Sequence, residues 1–360
     1  MIQVRLATHQ GEVEFQAASG ITALFGAADA GKTFILDAIA GFLTPPGGRI
    51  ILDDEILFDG ASGVNLPPRR RHCGYVARHW ALFPHMSVHH NLLFPLAELP
   101  RLERHRRVKE MLERFSLHEA ATRLPHAVSP AERLRATVAR ALIGEPKLLL
   151  VDEPAGGLDL ALRAEWYKIL RLVRDETSLP VLMTTRDPDT CFELASNMLL
   201  LDGGRILQSG PPRKVLDQPA NVEAARLLGI RNLFPAEIVA LDPGRNTSRL
   251  RLENFELTGP YFPGRLRGDR VWLCVEPGQL HATPRDGTKP SMNLVAARLE
   301  RASDMPRAVR LEFEGGIVAE IARREFEPHR DNADNKEWLV EFPPHALRVL
   351  GCPSKPSTNT

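Results

Sequence analysis

Residues 21–41 place an apolar run, a glycine-bounded loop and a helical stretch in immediate succession. Ile21 to Phe25 reads as a buried strand; Gly26-Ala27-Ala28-Asp29-Ala30-Gly31-Lys32-Thr33 then fits G-x-x-x-x-G-K-[ST], and a helical pattern runs over 32–41. A loop of this type wraps phosphate with main-chain N–H groups and the positive end of the following helix. It needs a strand to deliver it and a helix to leave it, and both are present. In that setting Lys32 reaches the outer phosphates and the Thr33 hydroxyl ligates Mg²⁺. The chain is thereby committed to an α/β domain around a phosphate loop.

The first 230 residues keep to that class. The run 49–52 after the helix continues an α/β alternation, and the short runs 147–151, 180–184 and 199–201, the first two of buried-strand type, complete a mainly parallel sheet. Between them, 102–115 carries Val108, Leu112 and Phe115 at helical spacing, which marks a helical insert with one buried stripe. Leu148-Leu149-Leu150-Val151-Asp152-Glu153 is an apolar strand ending in two carboxylates: Asp152 is placed to hold Mg²⁺ through water and Glu153 to polarise an attacking water. After about Arg231 the period changes to two, in runs such as 249–252, 271–275 and 308–313 separated by Gly, Pro and Asp clusters. The expected organisation is 1–230 as a nucleotide-binding domain, 231–352 as a small all-β domain, and 353–360 as a disordered Ser/Pro/Thr/Lys tail.

Composition removes several alternatives. Hydrophobic residues at 43% and charged residues at 25% exclude a disordered or collagen-like chain. Forty-six Lys plus Arg against 45 Asp plus Glu leave no global basic field, so no nucleic-acid partner is expected. The local run Arg69, Arg70, Arg71, His72 reads as a solvated turn. Cys73, Cys191, Cys274 and Cys352 have neither C-x-x-C spacing nor a metal pattern, which suits a reducing compartment and packing roles. No run approaches about 18 apolar residues, so any membrane role is peripheral.

With these motifs in view, the chain resembles the ATPase subunits of ABC importers, particularly those for molybdate, sulfate and related solutes. The resemblance covers nearly the whole chain. It rests on GITALFGAADAGKT (20–33), LFDGASGVNLPPRRRHCGYV (57–76) followed by ALFPHMSV (81–88), AVSPAERLRATVARALIGEPKLLLVDEP (127–154), Gly157-Leu158-Asp159 and DGGRILQSGPPRKVL (202–216). It implies a phosphate-loop ABC nucleotide-binding domain with a helical insert, followed by an OB-like domain of TOBE type. It further implies ATP and Mg²⁺ as cofactors and a head-to-tail pair of nucleotide-binding subunits, here a homodimer. Each ATP would lie between the phosphate loop of one subunit and the signature segment of the other. Ser129 would reach the partner's γ-phosphate and Asp159 would join the nucleotide-binding set. Two transmembrane permease subunits would be driven through 81–88, a periplasmic solute-binding protein would act upstream, and the chain would sit on the cytoplasmic face of the membrane. Phe15 is a weak candidate for stacking on adenine and reads first as core.

Four positions depart from the family pattern where the chemistry is demanding. Asp29 stands where the family has Gly, and at ~4 Å and an effective dielectric of ~20 a carboxylate there would repel one phosphate charge by about 4 kcal/mol. Arg78 replaces a Gln and has donors but no acceptor, so it cannot ligate Mg²⁺ and would instead face phosphate within the nucleotide-binding set. Arg186 replaces the switch His and keeps a donor function alone. The signature reads Val128-Ser129-Pro130-Ala131-Glu132: a good helix start with Ser129 as N-cap, Pro130 at N1 and Glu132 closing a capping box. Pro130, however, has no N–H to offer an anion, and Ala131 adds a methyl where close approach is wanted. The expected function is an ATPase subunit of reduced activity, with Glu153 and Arg186 at the reaction centre. The alternative is a catalytically impaired regulatory or nucleotide-binding module.

Overall fold

The computed structural model describes residues 1–8, 11–153, 156–285, 289–332 and 336–351; the tail expected at 353–360 lies outside them, as does Cys352. The chain divides into two units, Met1–Gln218 and Pro219–Thr360.

In the first unit the strands are β1 (Ile2–Ala7), β2 (Glu12–Ala17), β3 (Gly20–Phe25), β4 (Gly48–Leu52), β5 (Glu55–Asp59), β6 (Val64–Asn65), β7 (Cys73–Val76), β8 (Leu148–Val151), β9 (Pro180–Thr185), β10 (Asn197–Asp202) and β11 (Arg205–Gly210). The helices are α1 (Lys32–Ala40), α2 (Val88–Leu93), α3 (Arg101–Arg114), α4 (Pro130–Leu142), α5 (Leu160–Glu176), α6 (Pro188–Leu194) and α7 (Pro212–Asp217). Two sheets result. An antiparallel one runs β2-β1-β4-β5-β6, and a second runs β11-β10-β3-β9-β8-β7, with every pair parallel except β10–β11.

The parallel pairing of these strands agrees with their composition. Ile21 to Phe25, Leu148 to Val151 and Pro180 to Thr185 are buried at every position, and a strand covered on both faces must find helices on each side. The outer strands differ: in β2, buried Val13, Phe15 and Ala17 alternate with exposed residues, the mark of one covered face. Phe15 is 6% exposed and belongs to the hydrophobic core with Ile2, Leu24, Ile35 and Leu182, so its ring is packing material. The insert helix α3 buries Val108 and Leu112 as its spacing foretold, with Phe115 buried at its end.

The basic run at 69–72 is not a uniformly solvated turn. Arg69, Arg70 and His72 are exposed, but Arg71 is 0% exposed and donates to Leu66 O at 2.7 Å, Ala38 O at 2.6 Å, Ile39 O at 2.9 Å and Asn65 Oδ1 at 2.6 Å. Ala38 and Ile39 end α1, so Arg71 supplies the donors that the last carbonyls of a helix lack. Gly41, at φ 82°, lets the guanidinium pass: a Cβ there would lie 2.6 Å from Arg71 Nε.

Among the described residues the second unit contains α8 (Val222–Leu227), ten strands from β12 (Asn232–Asp242) to β21 (Arg348–Gly351), and a short α9 (Arg323–Phe326). Its strand pairs among the described residues are all antiparallel, in two five-stranded sheets, so the rear unit is all-β in its sheets as expected of a TOBE-like domain. Its core includes Ile238, Leu250, Leu273, Phe313, Trp338 and Phe342. Two buried amides hold separate strands together: Asn232 exchanges two hydrogen bonds of 2.7 Å with Val318, and Asn293 donates to Thr258 O and Phe342 O. The division after Gln218 precedes the change of period at Arg231, because Val222, Ala225 and Ile230 pack against Cys274 and Leu350 of the β unit.

Candidate functional site

The parallel register gathers the charged loops at one edge. Phe25 pairs with Thr185, Val151 with Met183 and Val76 with Val151, so β3 and β9 end together and β8 and β7 end two residues earlier at the same edge. The loops leaving these strands therefore meet at the carboxyl edge of the sheet, where open α/β sheets bind ligands. The phosphate loop leaves β3, Asp152 and Glu153 leave β8, Arg186 leaves β9, and Arg78 lies two residues beyond β7.

The loop 26–33 is bent as its glycines allow. A Cβ at Gly26 would sit 2.3 Å from Leu201 O, and Gly31 caps α1 with φ 87°. Ala27, Ala28 and Asp29 are exposed, while Ala30 is buried. Asp29 is exposed and makes no ion pair among the described residues. Lys32 is 2% exposed; its Nζ donates to Gly26 O at 2.9 Å and Ala27 O at 2.5 Å and lies 3.5 Å from Glu153 Oε1. Burial pushes its ammonium below the ordinary lysine range, and the Glu153 carboxylate opposes that shift.

Thr33 Oγ1 donates to both oxygens of Asp152, at 3.1 and 3.2 Å. Asp152 is 6% exposed and accepts a further hydrogen bond from Thr184 Oγ1 at 2.7 Å. The same Thr184 hydroxyl accepts from Glu153 N at 2.8 Å. One buried hydroxyl thus orients both carboxylate residues, and Glu153 takes a left-handed φ of 38° to turn away from the strand. Thr184 is a site residue beyond those expected from the motifs. It belongs to no motif: Thr184 and Thr185 close the buried strand β9, and only the pairing of β9 with β8 brings the hydroxyl to Asp152. Hydroxyl and carboxylate oxygens meeting at hydrogen-bond distance form a hard donor set of the kind that suits Mg²⁺.

Arg78 and Arg186 both turn to Glu153. Their Nη2 atoms lie 3.0 and 3.1 Å from Glu153 Oε2, the carboxylate being 9% exposed and the arginines 48% and 47%. Asp187, the N-cap of α6, fixes the corner that carries Arg186. Its N donates to Thr185 Oγ1, its Oδ2 accepts from Thr190 Oγ1 at 2.9 Å, and Arg163 pairs with it at 3.4 Å. A cavity of about 240 Å³ opens beside Glu153, Thr184 and Arg186.

The remaining candidates lie apart from this cluster. Ser129 caps α4 in a full capping box: Glu132 N donates to Ser129 Oγ at 3.2 Å and Ser129 N to Glu132 Oε2 at 2.8 Å. Asp159 caps α5 through Leu162 N at 2.8 Å. Among the described residues neither is hydrogen-bonded or ion-paired to the phosphate loop. At the 81–88 corner, buried Asn91 accepts from Phe83 N and donates to Phe83 O, Met86 O and Ser87 O, which shapes that loop.

Comparison with known proteins agrees with this geometry. The family profile described as ABC transporter matches residues 12–156. The molybdenum import ATP-binding protein ModC of Rhodospirillum rubrum is 35% identical over 319 residues, covering 87% of this chain and 80% of that protein. The chain belongs to the ATP-binding subunits of ABC importers. The molybdate/tungstate import ATP-binding protein WtpC of Archaeoglobus fulgidus is 37% identical over 230 residues, 64% of this chain and 93% of that relative. A spermidine/putrescine import ATP-binding protein, PotA of Marinobacter nauticus, is 29% identical over 340 residues, 90% of this chain and 88% of that relative. Among solved structures, cbiO1 from Clostridium perfringens, part of the ABC transporter complex cbiONQ, superposes with a TM-score of 0.52 at 24% identity, over 60% of this chain and 90% of that one, which shows the shared fold. As a member of this family the subunit is an ABC-type ATPase that binds ATP.

Proposed function

We propose that this subunit energises import of an oxyanion of the molybdate class, working as one of a head-to-tail pair against transmembrane permease subunits on the cytoplasmic face of the membrane. The observation that carries the reading is the shared corner of Thr33, Asp152 and Thr184 beside Lys32 and Glu153, at the edge where the phosphate loop opens. Lys32 and the loop amides of 26–33 bind the phosphates, and Thr33 with Asp152 would hold Mg²⁺, whose charge neutralises the transferring phosphoryl group. Glu153 orients the attacking water, Arg186 and Arg78 face the terminal phosphate, and Ser129 and Asp159 serve the neighbouring subunit's nucleotide. The molybdate reading is supported by relatives named for molybdenum and for molybdate/tungstate, while one named for spermidine/putrescine keeps the solute open to test. No helix among the described residues is long and apolar enough to cross a membrane, in keeping with a peripheral subunit carried by its permease.

A second reading, an impaired regulatory module, is favoured by the two arginines that hold Glu153. Turnover of the purified chain beside Glu153→Gln separates the two. An ATPase rate abolished by the substitution supports the first reading, and a negligible rate unchanged by it supports the second. Co-expression with candidate permeases in vesicles, with molybdate, sulfate or spermidine inside the binding protein, tests the solute; stimulation by spermidine alone overturns the oxyanion assignment.

A further inference from the structure

Three cations ring one carboxylate at the mouth of the phosphate loop. Lys32 Nζ lies 3.5 Å from Glu153 Oε1, and the Nη2 atoms of Arg78 and Arg186 lie 3.0 and 3.1 Å from Oε2. Asp152 next to it is satisfied by two hydroxyls and has no ion pair among the described residues. Among those residues Glu153 is the only carboxylate within ion-pair distance of the three cations, and Asp152 acts on Lys32 at longer range, so the ring keeps an excess of positive charge that an anionic group would balance.

The pairing is electrostatic rather than directional. Glu153 Oε2 is buried, yet neither guanidinium aims an N–H along a hydrogen-bond line to it. A guanidinium gains most from an anion when two N–H groups align on two oxygens. Neither arginine has another ion pair among the described residues, and both are about half exposed, whereas Glu153 is buried and its main-chain N–H is held by Thr184 Oγ1. The arginines are thus the partners able to move.

We propose that Arg78 and Arg186 are shared between Glu153 and the terminal phosphate of a nucleoside triphosphate, so that the phosphate must win both guanidinium groups from the carboxylate. A phosphoryl group with three oxygens offers the paired acceptors that Oε2 does not. The exchange makes the two arginines positioning residues for Glu153: while they hold it, Oε2 is occupied, and when phosphate takes them that oxygen is released to orient water. The idea rests on the nucleotide reading of the site given above, and its test keeps the two apart.

Equilibrium binding of a non-hydrolysable ATP analogue and of ADP to the full chain decides it. Glu153→Gln is expected to tighten the analogue about tenfold, as a competing charge-assisted contact is removed, and ADP by less than about threefold. In the Glu153→Gln background, adding Arg78→Gln and Arg186→Gln is expected to weaken the analogue by about tenfold or more while leaving ADP within about threefold, and lysine at both positions recovers part of the loss. If arginine removal in that background leaves analogue affinity unchanged, or costs ADP as much as the analogue, the arginines serve Glu153 alone and the proposal is overturned. Failure of the unmodified chain to bind either nucleotide would overturn the nucleotide reading itself.

Discussion

Replacing Arg71 by Met tests whether a buried cation outside the reaction centre holds the helix that the phosphate loop begins. Methionine keeps the apolar stem and removes every N–H donor. The carbonyls of Ala38 and Ile39 at the end of α1 then lose buried donors at 2.6 and 2.9 Å, and Leu66 O and Asn65 Oδ1 lose theirs. Each buried carbonyl left unsatisfied costs about 1–3 kcal/mol. Opposing this, a guanidinium with no ion pair among the described residues no longer has to be kept from water, which relieves part of a penalty of several kcal/mol. The guanidinium is well hydrogen-bonded, so most of that penalty is already offset and the carbonyl loss wins: about 2–4 kcal/mol of destabilisation for Arg71→Met. Arg71→Lys, whose ammonium reaches fewer of the four acceptors, should lose about 1–2 kcal/mol. Urea titration gives the magnitude, and hydrogen exchange of the peptide covering 32–41 gives the location. A Met variant within about 1 kcal/mol of the parent, with α1 exchange unchanged, would refute the capping role.

Three further outcomes concern other parts of the molecule. Thr184→Val strips Asp152 of a 2.7 Å donor and leaves Glu153 N without its acceptor, so stability should fall by about 1–3 kcal/mol and turnover by tenfold or more, with Thr184→Ser near the parent; equal activity of the Val variant would sink the orienting role. Pro130→Gly with Ala131→Gly should raise ATP turnover about tenfold by restoring main-chain access to phosphate, while lowering stability by about 1 kcal/mol at the start of α4; a slower enzyme would show that these residues are working substitutions. Burial holds the Cys73 and Cys191 thiols up at about 12 and Cys274 at about 11, so the reactive thiolate forms only as pH nears those values; mass mapping should find all three unalkylated at pH 8 in the folded chain and modified after unfolding, and prompt labelling of any one would contradict the packing.

Much of the fold was legible because its signals are local. An apolar strand, a loop with glycines at two fixed places and a helix start are neighbours in the chain, so Gly26, Gly31, Lys32 and Thr33 could be placed before any tertiary contact was known. The capping box of Ser129 and Glu132 is likewise written within four residues, and it forms as read. The change from helical and buried-strand runs to period two announced the all-β unit, though the division falls earlier because α8 packs with the strands that come after it.

What the sequence could not state is which distant charges meet. Arg71 looked like one member of a solvated run; its burial depends on the end of α1, more than thirty residues away. Thr184 carried no motif, and its role exists only because β8 and β9 lie side by side in a register that puts its hydroxyl between Asp152 and Glu153. Arg78 and Arg186 were each readable as departures from a family pattern. Their convergence on one oxygen of Glu153 was not, since it requires three strands to end at the same edge within two residues of one another. Chain-local geometry and binary patterning determine the elements and the loop, whereas electrostatic pairing depends on through-space distance, which parallel sheet register sets and sequence separation does not.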